Sequence, residues 1–135
     1  MSTPIGPYSP IVRAGPWLIC SGQLGLRPAP PDGAVPGRPP DPAPGLVEGG
    51  APAQLAQALS NAERLLRDNG ATTEDVVKTT VFVTDMGAYA EVNEAYAGFF
   101  REHRPARSVV GVTGLPMGAA VEVELWAYVG PPFVG

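Results

Sequence analysis

The sequence predicts an α+β fold, a two-layer sandwich in which two helices cover one face of a mixed sheet. Three observations lead there. Extended runs and helical stripes follow one another in the order β-β-α-β-α-β-β. The last run, VEVELWAYV, alternates strictly, with Val121, Val123, Leu125, Ala127 and Val129 on one side and Glu122, Glu124, Trp126 and Tyr128 on the other. Two amphipathic helices are enough to bury one sheet face and no more. At 135 residues, the chain suits a single domain, 1–135.

Residues 9–14 and 16–26 read as two extended runs joined at Ala14-Gly15-Pro16, which is hairpin punctuation. The second run turns abruptly small and polar at Ser21-Gly22-Gln23, and a glycine inside a strand marks a bulge or a close backbone approach. Prolines then crowd residues 27–50, with Asp32-Gly33 and Pro44-Gly45 as turn signals. A stretch so poor in backbone donors reads as a long exposed loop with polyproline-like pieces.

From Ala51 to Asn69, the residues Leu55, Leu59, Ala62 and Leu66 recur at helical spacing, with Pro52 in the first turn and Gly70 as the stop. Val76–Val83, rich in β-branched residues, is a strand. Asp85 caps a second helix that reaches about Arg101, with the stripe Tyr89, Val92, Asn93, Tyr96, Phe99 and Phe100. Two strands, 107–113 and 120–129, complete the order. The second sheet face then mixes Glu122, Trp126, Lys78 and Thr80. Such a face is expected to meet another subunit rather than water.

Composition narrows the function classes. The chain is 44% hydrophobic and 16% charged, with a net charge of −4. An acidic chain lacks the electrostatic footprint of a nucleic-acid binder. No apolar run of membrane-spanning length and no secretory pattern is present, so a cytoplasmic location is the expectation. One cysteine, Cys20, and one histidine, His103, exclude a thiolate or imidazole metal cage within one subunit. No metal or cofactor is expected, and Cys20, inside WLIC, reads as a small buried hydrophobe. No glycine-rich phosphate loop and no Ser–His–Asp set is present.

Arg107 carries the sharpest question. It reads either as a strand-end charge paired to a Glu or as a planar fork that clamps a carboxylate. Glu122 and Glu124 are ion-pair partners or an acid–base pair. Asn93 is an amide on an otherwise apolar stripe that needs a partner. Ser21, with its neighbouring glycine, presents small polar groups, and Tyr8 is an aromatic introduced by Gly6-Pro7.

GPYSP (6–10), ICSGQLGL (19–26), the helix with Gln54 and Asn61, DVVKTTVFVTD (75–85), VNEAYAGFF (92–100), ARSVVGV (106–112) and LPMGAAVEVE (115–124) together resemble the RidA/YjgF family of imine deaminases, also called L-PSP endoribonucleases. The resemblance runs in order from Gly6 to about Val129, the proline loop excepted. It implies a chorismate-mutase-like fold and a homotrimer whose sheets line a central barrel, with active sites between subunits. It also implies hydrolysis of 2-imino acids such as 2-iminopropanoate and 2-iminobutanoate to 2-oxo acids and ammonia. The family's carboxylate-binding arginine falls on Arg107, and its other pocket residues on Tyr8, Ser21, Asn93 and Glu122. Val109 stands where the family usually has cysteine, Pro10 where it usually has glutamine, and the loop before Arg107 is short. The alternative is a small-molecule binder or a pathway-specific relative acting on a different imino or keto acid. A ribonuclease reading rests on the older family label alone, and the acidic charge counts against it.

Overall fold

The computed structural model describes residues 6–28 and 45–131. The chain forms β1 (Ile11–Ala14), β2 (Trp17–Leu24), α1 (Gly50–Asp68), β3 (Val76–Val83), α2 (Tyr89–Phe100), β4 (Ala106–Gly111) and β5 (Val121–Tyr128). The five strands make one sheet in the order β1-β2-β5-β3-β4. β3 and β4 run parallel, and the other pairs are antiparallel. The expected order and the α+β sandwich with a mixed sheet are therefore what the chain adopts.

Local chemistry sets most element ends. The first strand begins at Ile11 rather than Ser9, because Pro10 has no N–H for the ladder. Gly15 takes φ +60°, and the hairpin closes with Ala14 opposite Trp17. α1 ends in a Schellman arrangement: Ala71 N–H donates to the Leu66 carbonyl and Gly70 N–H to Arg67, with Gly70 at φ +81°. The Asp85 carboxylate accepts from Gly87 N–H at 2.8 Å, so the expected cap exists. It caps a short 3₁₀ turn, Met86–Ala88, that runs directly into α2.

The core lies between the inner sheet face and the two helices. Leu55, Leu59, Ala62 and Leu66 of α1 and Val92, Tyr96 and Phe100 of α2 pack on Leu18, Val81, Val123, Leu125 and Ala127. Burial alternates along β5 as its sequence alternates. Cys20 is one of these core residues, opposite Leu125, and burial pushes its thiol pKa up to about 12. It stays neutral and unreactive near pH 7.

The outer sheet face is aromatic at one end. Trp17 packs edge-on against Trp126 and Tyr128, at centroid distances of 5.9 and 5.1 Å. Trp126 remains 43% exposed. Lys78, beside Trp126 in the ladder, donates to Ser108 Oγ at 2.9 Å.

Most of the proline-rich stretch, residues 29–44, lies outside the described residues, and with it the expectation of a polyproline-like loop. Its two flanks are drawn together. Arg27 N–H donates to the Gly45 carbonyl and Val47 N–H to Gly25, and Leu26 bridges Leu46. Among the described residues, no helix is long and apolar enough to cross a membrane.

Candidate active site

Two polar clusters stand out, and the strand registers separate them. The first is built on β4, an edge strand whose outer peptide groups have no sheet partner. Arg107 aligns with Thr79 of β3, so its side chain leaves the sheet on the helix side. There α2 supplies a stripe of Tyr89, Asn93 and Tyr96, spaced four and three residues apart and therefore on one helix face. Arg107 Nη1 donates to Asn93 Oδ1 at 2.7 Å, and Nη2 donates to the Tyr89 hydroxyl at 3.3 Å. The guanidinium carbon lies 4.8 Å from the centroid of the Tyr96 ring, within cation–π range.

Tyr96 is itself fixed. Its hydroxyl and Thr79 Oγ1 share a buried hydrogen bond of 2.8 Å. Burial raises the Tyr96 phenol pKa, with the Thr79 bond and the Arg107 charge pulling the other way, so the ring stays neutral beneath the cation. The guanidinium thus has an amide, a phenol and an aromatic face as neighbours. Among the described residues, no carboxylate lies within ion-pair distance of it. Among the described residues, Arg107 is therefore held by polar and aromatic neighbours rather than paired to a Glu. Asn93, expected to need a partner, has one in Arg107. Val109, two residues on along β4, aligns with Val81 and packs against the core.

The second cluster forms where β2 meets β5. The register between these strands shifts between Cys20 and Gln23, which is the irregularity Gly22 announced. The missing side chain leaves room for the Glu122 carboxyl. A Cβ on Gly22 would stand 2.7 Å from Glu122 Cδ and 3.0 Å from both of its oxygens. Glu122 is half-buried, and that burial raises its carboxyl pKa, with the charge of Glu124 adding to the effect. Neither glutamate forms an ion pair among the described residues.

Ser21, at the bulge, binds backbone. Its hydroxyl donates to the Ser9 carbonyl at 2.7 Å, and its N–H donates to the Pro10 carbonyl at 2.9 Å. The segment carrying Tyr8 is thereby tied to β2 beside Glu122. Tyr8 itself is 45% exposed.

The clusters face opposite ways. Thr79 points inward beneath α2, and Phe82, three residues along the same strand, points outward. Arg107 shares the side of Thr79, whereas Glu122 aligns with Phe82. One chain therefore brings together Arg107 and Asn93, and separately sets the Gly22 bulge against Glu122 with the segment that follows Tyr8 bonded to Ser21, but it does not join the two groups. Sequence reasoning passed over Tyr89, Tyr96 and Gly22 as site residues. The signal was present for the tyrosines in their spacing from Asn93. His103 takes no part: its Nε2 meets the Val76 carbonyl at 2.7 Å and anchors the chain before β4 to the start of β3.

Residues 1–129 match the family described as Endoribonuclease L-PSP. The chain belongs to the RidA/YjgF family. A RutC family protein from Pyrococcus horikoshii is 38% identical over 93% of this chain and 89% of its own length. A mouse protein named 2-iminobutanoate/2-iminopropanoate deaminase is 39% identical over 94% of this chain and 84% of its own. Among solved structures, RidA from an Antarctic Psychrobacter superposes with a TM-score of 0.80 at 33% identity, covering 94% of this chain and 92% of that one. The mixed sheet with two helices on one face is thus the fold of the RidA/YjgF family, as the ordered motifs implied.

Among the described residues, no three His, Cys, Asp or Glu side chains converge. A groove of about 990 Å³ between α1 and α2, lined by Glu63, Arg67, Phe99 and His103 among others, includes neither Arg107 nor Glu122.

Proposed function

We propose that the protein hydrolyses short 2-imino acids, such as 2-iminopropanoate and 2-iminobutanoate, to 2-oxo acids and ammonia. The observation that carries this reading is Arg107. Its guanidinium is held by Asn93, Tyr89 and Tyr96, and no carboxylate of the described chain neutralises it. With five N–H groups and two committed, about three remain for a ligand, enough to grip a carboxylate through two parallel bonds. The name of the mouse relative, a deaminase of this substrate class, supports the choice of reaction.

A protonated imine is already electrophilic, so the site's main task is orientation. Arg107 holds the substrate carboxylate. The Val109 carbonyl and the Glu122 carboxylate position a water molecule. The water oxygen forms a bond to C2 while Glu122 takes its proton, giving a tetrahedral aminoalcohol. Glu122 then returns the proton to nitrogen, the C–N bond breaks, and the C2 carbonyl forms as the hydroxyl proton passes through the Glu122 carboxylate to the departing ammonia, which leaves as ammonium. Tyr8 shields the substrate, and Ser21 and Asn93 organise the pocket. Because the Arg107 and Glu122 clusters face opposite sides of one sheet, the reading places each site between protomers, in the homotrimer that the family resemblance implies.

The experiment generates 2-iminopropanoate in situ with an amino-acid oxidase and times pyruvate release with and without the protein. Release no faster than the spontaneous rate overturns the reading. The two-protomer site has its own test. Arg107→Ala and Glu122→Ala chains, each inactive alone, are expected to recover about a quarter of wild-type activity after co-refolding in equal amounts, the value for random pairing around a ring. No recovery would mean that both groups act from the same chain.

Glu122 also predicts a pH dependence. Its carboxyl titrates above the ordinary carboxylate range because it is buried, with Glu124 adding to the shift. As the carboxylate must accept the water's proton, kcat/KM is expected to rise with pH through that elevated value. Glu122→Gln should remove the rising limb along with most of the activity. Stability should move the opposite way. A carboxyl whose folded pKa is raised favours folding most below its unfolded value, and loses that contribution as pH rises through the folded one.

A further inference from the structure

We infer that Tyr89 is a third donor to the substrate carboxylate, beside the two N–H groups of Arg107; this rests on the proposed role of Arg107. Tyr89 is the first residue of α2 and lies one turn before Asn93. Its hydroxyl accepts from Arg107 Nη2 at 3.3 Å, and its ring lies 5.8 Å from the guanidinium carbon. A phenol oxygen that accepts a bond still has its own proton to give. Among the described residues, the Tyr89 hydroxyl has no acceptor for that proton. The side chain is 39% exposed, so the donor stands at an open surface.

The contrast with Tyr96 sharpens the assignment. Both rings lie near the same cation, but the Tyr96 hydroxyl is buried and committed to Thr79. Tyr96 supports the guanidinium from beneath. Tyr89 meets it at the rim, where a ligand arrives. A carboxylate seated on Nη2 falls within reach of the phenol that shares that nitrogen. Polarisation by the bound cation makes the phenol a better donor to an anion than it is to water.

The expected signature is a loss of affinity confined to anionic ligands. Pyruvate and its uncharged analogue pyruvamide serve as probes in titration calorimetry on the full protein. Tyr89→Phe keeps the ring and removes only the hydroxyl. Pyruvate should bind about three- to tenfold more weakly, as for the loss of one hydrogen bond, while pyruvamide affinity is unchanged. In turnover, KM should rise with kcat held, the mark of an interaction equal in ground and transition states. Wild-type pyruvate affinity in Tyr89→Phe, with pyruvate binding lost in Arg107→Gln, would overturn the role of Tyr89 and leave the proposed function standing. Tighter pyruvate binding would also overturn it, because Tyr89 would then be a competitor that the ligand displaces. Unchanged pyruvate binding in Arg107→Gln would overturn both readings.

Discussion

Arg107→Ala is expected to reduce imine hydrolysis to the spontaneous rate while leaving the fold intact. Removing a charged clamp from a hydrogen-bonded site costs roughly 2–5 kcal/mol, about 30- to 5000-fold in rate or binding. The fold should tolerate the change because Arg107 is on an edge strand and its partners are not stranded. Asn93 and Tyr89 are at the surface end of the stripe and gain water in its place, and Tyr96 keeps its Thr79 bond. Arg107→Lys makes the sharper comparison. It restores the charge without the planar fork, so it should recover only part of the activity. Timed oxo-acid release, with circular dichroism and a thermal melt of each variant, checks both. Near-normal turnover in the alanine variant would remove the basis of the mechanism.

Gly25→Ala is expected to be the most destabilising single-methyl change that the described residues offer. Gly25 is buried just past the end of β2, against α1. A Cβ there would lie 2.5 Å from both Cα and the carbonyl oxygen of Gln54. These are helix backbone atoms, and no rotamer change relieves the clash. The helix must lift, yet this is where it is tied down. The Gln54 side-chain oxygen accepts from Ala120 N–H at 2.9 Å, and Asn61 Nδ2 donates to the carbonyls of Leu24 and Leu26. Forced overpacking of this kind costs about 3 kcal/mol or more, roughly a 10 °C fall in Tm for a domain of this size. Gly98→Ala is the opposite control. Nothing lies within 4 Å of its ideal Cβ, and the residue is in the exposed part of α2, so alanine should stabilise by about 0.5–1 kcal/mol. Thermal melts of the two variants should move in opposite directions, and a shift of the same sign in both would contradict the packing described.

Much of this could be read directly from residues. Strict alternation in β5 identified the buried side of the sheet, Gly70 marked the end of α1, and Asp85 marked the turn that leads into α2. Gly22 announced a bulge, and the bulge is where it was expected. What could not be read is relative position across the sheet. β4 and β5 are not neighbours, and both pair with β3. Whether Arg107 and Glu122 share a face depends on two registers along that third strand, which no local pattern encodes. The same holds for Gly25, whose tight contact is with a helix about thirty residues away in sequence. Asn93 and Tyr89 were visible as a stripe, but a stripe does not say which of its members will face an arginine from another element.

The paired backbone bonds that join Arg27 to Gly45 and Gly25 to Val47 act as a clasp. Once the two flanks are fastened, doubling or halving the enclosed chain alters closure entropy by only about 0.6 kcal/mol. The closure term alone therefore sets little penalty on changing the length of the enclosed chain, whereas loss of the clasp would release both flanks at once.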